Sequence, residues 1–137
     1  MSSMQVEVVT PERKVVSRNC IMVSARAVDG NIGILPRHIP LVTVLAPGVV
    51  KIKGETDVTT LAVSGGFLEV SPDSRVTILA ETAELANEID VERARKARQR
   101  AEERLKLRGN PDVDALRSEI ALRKAMIRLE AAEAKKD

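Results

Sequence analysis

Six basic side chains at helical intervals are the residues in this sequence best placed to do chemistry. Arg93, Arg100 and Arg104 fall along one side of a predicted helix, and Arg117, Lys124 and Arg128, at i, i+7 and i+11, along one side of the next. If the two helices fold back on each other, the arcs converge near the open end of the hairpin, beside Asp90. Such a convergence can neutralise an anion. It can equally be a solvated face pinned by ion pairs such as Glu92–Lys96 and Glu119–Arg123, each contributing roughly a few tenths of a kcal/mol.

Other chemistries find less support. There is no Gly-rich phosphate loop ending in Lys-Ser/Thr and no G-x-G-x-x-G. The lone His38 would have to be the base of any Ser-His-Asp arrangement, and nothing singles out a nucleophile for it; between two prolines it reads as a structural or interface residue. One Cys and one His make no zinc set, and Cys20 alone cannot form an intramolecular disulfide, which fits a reducing compartment.

The elements that must position the basic arcs begin at Glu84–Ala94, where the sequence changes character. Before it lie Val/Ile/Thr-rich runs broken by Gly and Pro; after it come Ala, Arg, Glu and Leu without interruption until Gly109. Asp90 is the predicted N-cap, with Asn87 as the alternative. Ala94, Ala97, Ala101 and Leu105 form a seam of small residues that lets another helix approach closely. Gly109 is placed as a C-cap residue, and Asn110-Pro111-Asp112 restarts a helix over about Pro111 to Ala134. That helix carries one apolar stripe at Val113, Leu116, Ile120, Ile127 and Ala131 and another at Ala115, Leu122, Met126 and Leu129. It has two faces to bury, one on the first helix and one on the rest of the protein or a partner.

Residues 1–84 read as one small all-β domain. Strand chemistry covers Gln5–Thr10, Val15–Val16, Ile21–Ala27, Leu41–Leu45, Val49–Lys53, Val58–Ser64, Phe67–Val70 and Val76–Ala80. Asp29-Gly30 is a hairpin signal, Ala46-Pro47-Gly48 predicts another hairpin, and Pro36 and Pro40 fix an extended loop between them. Short strands with no helix between them predict an antiparallel sandwich or flattened barrel. The fold class is α+β, a β-sandwich over 1–84 followed by an antiparallel two-helix hairpin over 85–137.

Composition narrows the partners. Phe67 is the only aromatic, so the core is aliphatic and single-strand nucleic-acid binding lacks its stacking platforms. The net charge of +2 implies no polyanion partner by itself, but the excess is local: residues 85–137 carry 14 Lys/Arg against 11 Asp/Glu, residues 1–84 carry 8 against 9. No secretory signal is visible, and the longest apolar region, Ile39 to Val50, is interrupted and falls short of the roughly 20 residues that span a bilayer. Any membrane association is expected through a partner.

Several pieces in order then resemble one family: Gly30-Asn-Ile-Gly-Ile-Leu-Pro-Arg-His-Ile-Pro-Leu-Val-Thr43, the Pro47-Gly48 turn, Val63-Ser-Gly-Gly-Phe-Leu-Glu-Val70, Val76-Thr-Ile-Leu-Ala-Glu-Thr-Ala-Glu84 and Ile89-Asp-Val-Glu-Arg-Ala94. Together they look like the epsilon subunit of bacterial F-type ATP synthase. The resemblance implies a sandwich of about ten strands with a two-helix C-terminal domain. It implies a non-catalytic rotor subunit at the cytoplasmic face of the bacterial membrane, joining the gamma subunit to the c-ring beneath the alpha and beta subunits of the catalytic head. Asp29, Gly30 and Asn31 match the ring-facing loop and His38 a position on the gamma side. Ile89-Asp90-x-x-Arg93-Ala94 matches the signature of ATP-binding epsilon subunits in certain bacilli, where Glu84 and basic residues such as Arg100, Arg117, Lys124 and Arg128 complete the site. ATP would be a regulatory ligand and the helices a brake on hydrolysis. Arg123-Lys124 stands where the bacillus-type sequences have Lys-Arg, so an ammonium replaces one expected guanidinium, and Lys does not clamp phosphate bidentately. The alternatives are a free-standing nucleotide-sensing module and, more distantly, a nucleic-acid binder.

Overall fold

Alternation makes the strands. In β1 (Met4–Val9) every second residue, Met4, Val6 and Val8, is buried, and a similar period runs through β2 (Lys14–Cys20), β3 (Met22–Ala27), β6 (Gly48–Lys53), β8 (Gly66–Val70) and β9 (Arg75–Ala80). With β4 (Gly30–Ile34), β5 (Leu41–Leu45), β7 (Val58–Val63) and β10 (Ala83–Leu85) there are ten strands in the computed structural model, which describes residues 2–107, 109–110 and 114–134.

The strands form one continuous sheet in the order β10-β7-β6-β3-β5-β8-β9-β1-β2, with β4 paired to β3. The sheet folds over a core of aliphatic side chains that includes Val6, Val23, Ile52, Leu61, Leu68 and Ile78, all essentially inaccessible. Its two ends, β2 and β10, come into contact. Arg18 ties β2 to β7, the neighbour of β10, and to the turn before it: Nη1 and Nη2 donate to the two carboxylate oxygens of Asp57 at 2.8 and 2.9 Å, and Nη1 also donates to Thr59 Oγ1 of β7 at 2.9 Å. The hydrogen bonds from Arg18 hold the Asp57 carboxyl below the usual carboxylate range. Two residues along from Arg18, burial pushes the Cys20 thiol up.

Three strand-level expectations need correction. The sheet is not wholly antiparallel, because β1 pairs in parallel with β9, Val6 opposite Val76 and Val8 opposite Ile78. The Pro47-Gly48 segment is no hairpin: β5 pairs with β8 and β6 with β7, so the proline turn carries the chain between parts of the fold. The sheet also runs past residue 84 into Leu85, which pairs with Leu61. In the β3–β4 hairpin the residue with positive φ is Gly30, at 134°, and Asp29 stays on the ordinary side.

A 3-10 turn, Ala86–Glu88, leads to α1 (Val91–Lys106). Asp90 caps α1, its carboxylate accepting from Arg93 N at 3.0 Å, so the predicted cap stands and Asn87 does not take that place. α1 ends at Leu107, with Gly109 at φ 99° just beyond. The predicted restart at Pro111-Asp112 and the stripe residue Val113 lie outside the described residues. α2 (Ala115–Ala134) is capped by Asp114, whose Oδ1 accepts from Arg117 N at 3.0 Å.

α2 lies between α1 and the sandwich, touching β6, β7 and the 3-10 turn. Its buried residues are Ser118, Ala125, Ile127 and Ala131. At about 100° per residue Ser118 and Ala125 point opposite to Ile127 and Ala131. Ile127 and Ala131 pack with Ala62, Ala86 and Ile89, so Ser118 and Ala125 face α1, whose buried residues are Ala94 and Ala101. Neither was in the predicted stripes, and Leu116, Ile120 and Met126, which were, stay about half exposed or more. The alanine seam of α1 explains this, since close approach requires small residues on both helices and leaves larger ones at the margins.

Candidate functional site

Because α2 meets the sandwich along the narrow ridge of Ile127 and Ala131, an open-sided cavity of about 310 Å³ remains beside it. The floor is β7 (Ala62, Val63) with Ser64, Thr82 and Pro47; the helix wall is Ile120, Arg123, Lys124, Ile127 and Arg128; Glu84 of β10 closes one end. Three cations thus share a half-apolar cavity with one carboxylate. Its size is at the low end of the roughly 300 to 1,000 Å³ found for small-molecule pockets.

The carboxylate is already engaged. Arg128 Nη2 donates to Glu84 Oε2 at 2.9 Å, and Nε lies 2.7 Å from Oε1 but out of line for a hydrogen bond. This is the ion pair that ties α2 to the sheet among the described residues, and both side chains are roughly one-third exposed. The closed hairpin therefore does not leave Arg128 to repel its neighbours, as basic arcs considered alone suggest. Among the described residues Arg123 and Lys124 have no carboxylate within 4.0 Å.

Of the nine residues expected at an ATP site, the structure brings Glu84, Lys124 and Arg128 to this cavity. Ile89 is buried under α2 in the ridge contact, and Ala94 is fully buried in the helix seam, so both position the helices and offer no side chain to a ligand. Asp90 is exposed and spends one oxygen on its cap. Arg93, Arg100 and Arg117 are exposed and do not line the cavity. Arg123, absent from the expected set, does line it. The solvated-face pairs are also different: Glu92 meets Arg95 at 3.7 Å in place of Lys96, and Arg98 meets Glu102 at 2.7 Å. The donor set suits an anionic ligand, with an apolar wall and no aromatic stacking surface.

A second feature lies across the sheet. Outward-facing Val44, Phe67, Leu79 and Val9 are cross-strand neighbours on β5, β8, β9 and β1, forming an apolar ladder. Val44, Phe67 and Leu79 are each about half exposed. Such a row of large apolar groups on an outer sheet face is the kind of patch that marks a protein interface. Expected gamma-side residue His38 sits in the loop before β5, half buried, its Nδ1 2.7 Å from Ile39 O, with Leu35 and Ile39 exposed on either side. The expected ring-facing residues Asp29, Gly30 and Asn31 are all exposed at the tip of the β3–β4 hairpin. Among the described residues no three His, Cys, Asp or Glu gather as a metal site, and no helix is long and apolar enough to cross a membrane.

Comparison with known proteins gives this arrangement its family. Residues 3–86 match the ATP synthase delta/epsilon chain beta-sandwich domain, and residues 87–133 the delta/epsilon chain long alpha-helix domain. The chain is 52% identical over 132 residues to the ATP synthase epsilon chain of Halalkalibacterium halodurans, an alignment covering 96% of this chain and 98% of that one. It is 48% identical over 132 residues to the epsilon chain of Bacillus licheniformis, covering 96% and 99%. In three dimensions it superposes on a chain of the Euglena gracilis mitochondrial ATP synthase, solved as an OSCP/F1/c-ring assembly, with a TM-score of 0.82 at 25% identity over 97% of this chain and 82% of that one. Matched along both its sandwich and its helices, the chain belongs to the epsilon-subunit family of the F-type ATP synthase, a non-catalytic component of the central stalk.

Proposed function

We propose that this epsilon subunit couples the gamma subunit to the c-ring in the rotor, and that its helical hairpin binds ATP and restrains ATP hydrolysis. The observation that carries the regulatory half is the cavity of Glu84, Arg123, Lys124 and Arg128 between β7 and α2. Three cations around one carboxylate favour a polyanion. A ligand bridging sheet and helix would hold the hairpin down, because it binds only the docked state and stabilises it by mass action. Without it, the docked hairpin rests on one isoleucine ridge, one ion pair about one-third exposed and a seam of alanines. An undocked hairpin is free to extend along gamma toward the alpha and beta subunits and brake the head.

The coupling half rests on the apolar ladder and the hairpin tip. The ladder around Phe67, with the His38 loop at its edge, is the surface for gamma; Asp29, Gly30 and Asn31 face the ring, and the subunit sits on the cytoplasmic side of the bacterial membrane through that complex.

Calorimetric titration of the full chain with ATP, paired with hydrolysis assays on the reassembled complex, tests the regulatory reading. Binding in the micromolar to millimolar range is expected, about -8 to -4 kcal/mol. Deleting the residues after Ile89 should raise hydrolysis without abolishing synthesis. No binding at millimolar ATP removes the ligand, and unchanged hydrolysis removes the brake. For the coupling half, Phe67→Ser should weaken co-purification with gamma while leaving the melting curve unchanged, because the ring is half exposed; undiminished capture would move the gamma surface elsewhere.

A further inference from the structure

We infer that Arg123 is a ligand-binding residue of the cavity, supplying to the phosphates a guanidinium that no carboxylate of the described residues already holds; this rests on the reading of the cavity as a polyphosphate site. Successive residues on a helix point about 100° apart, so two neighbours reach one site only when they straddle its axis. Arg123 and Lys124 do so. Ile120 and Ile127 face the sandwich between them, and all four residues line the same cavity with Ala62, Val63 and Pro47 opposite. A guanidinium on one flank and an ammonium on the other therefore both reach the cavity.

The charges assign the two flanks different work. Arg128 is held by Glu84 and must share its donors with any incoming anion. Arg123 and Lys124 have no carboxylate within ion-pair distance among the described residues, so their donors are open to a ligand from the start. Arg123 also borders the neighbouring cleft, between α2 and the β3–β4 hairpin, whose other charged lining residues are Asp29, Glu119 and Glu130 against the single cation Arg26. Its side chain thus stands between an acid-rich cleft and a cation-rich one, and a polyphosphate in the second turns it there. A planar fork that grips two oxygens at once gives it a hold on phosphate that the ammonium of Lys124 does not have.

The test is calorimetry on the full chain with three probes, ATP, adenosine and inorganic tripolyphosphate, at fixed ionic strength. Arg123→Ala should weaken ATP and tripolyphosphate at least about tenfold and leave adenosine unchanged, with Arg123→Lys in between. Arg123 is exposed, so the variant should melt as the parent does, and Lys106→Ala, an exposed cation at the far end of α1, should bind ATP like the parent. If Arg123→Ala binds ATP within twofold of the parent while Lys124→Ala and Arg128→Ala do not, the inference falls and the cavity stands. If ATP weakens but tripolyphosphate does not, Arg123 is not a phosphate residue and the inference falls too. A parent chain that binds neither ATP nor tripolyphosphate at millimolar concentration overturns both the cavity reading and the inference.

Discussion

Ile127→Ala should undock the helices while leaving the sandwich intact. Ile127 is the one large α2 side chain in the cluster with Ala62, Ala86, Ile89 and Ala131, where it is 8% exposed. Truncation removes three buried carbons, about 0.8 kcal/mol each, and leaves a partial cavity. The clefts on either side let the ridge relax, so the loss belongs at the low end of the range for such substitutions, about 2 kcal/mol, or roughly 30-fold in the docking equilibrium. Hydrogen exchange read by peptide mass spectrometry is the assay, since undocked helices of this length are marginal in water and exchange quickly. Peptides from α1 and α2 should exchange roughly 30-fold faster and those from β1, β8 and β9 at the parent rate. Unchanged helices would mean the ridge does not hold them. Equal acceleration in the strands would mean that the helices and the sandwich open as one unit, and the reasoning would fail.

Two further outcomes follow from the sandwich. The carboxyl of Asp57 is held below the usual range by Arg18, so the folded state binds its proton less readily than the unfolded chain; its stabilising effect is complete above pH about 4 and is lost as pH falls through the depressed value. Asp57→Asn should lower the melting temperature at neutral pH and flatten its decline in acid, and an unaltered acid limb would show that the clasp contributes nothing. Gly66→Ala should destabilise by at least about 2 kcal/mol, since a Cβ there would run into the carbonyl oxygen of Leu79 at a backbone φ of 140° that side chains avoid; a denaturant midpoint equal to the parent's would refute this.

Much of this protein is legible in local pattern because local pattern is what burial acts on. The alternation of Met4, Val6 and Val8 gives β1, and Asp90 gives the start of α1, since a capping carboxylate and a two-residue period are physical demands of single elements. Pairing is a different matter. The parallel match of β1 with β9 and the separation of β5 from β6 depend on which strands meet across the core, and the turn residues at Pro47-Gly48 look the same in either topology. At the site, the basic arcs identify the face but not the distances. Arg117 and Arg128 share a side of α2, yet only Arg128 lies beside the sheet, where Glu84 meets it. Arg123 was hidden because helical bookkeeping assigns it to another flank, and the cavity extends under both. A pairing of successive cations around a sandwich-facing isoleucine was the signal that would have found it.

The parallel pairing of β1 with β9 also sets an order on biosynthesis. β1 lies between β2 and β9, and its β9 edge stays unpaired until residues 75–80 have been made. A nascent chain emerging from the ribosome can form the β1–β2 and β3–β4 hairpins early, because their partners are close in sequence, but the fold cannot close until nearly the whole sandwich has left the exit tunnel. The helices are translated afterwards, onto a platform whose docking residues Ala62 and Ala86 are already in place. If the sandwich folds alone and the ladder binds gamma as proposed, premature termination within the helical segment releases a folded fragment that competes with the intact subunit for the stalk.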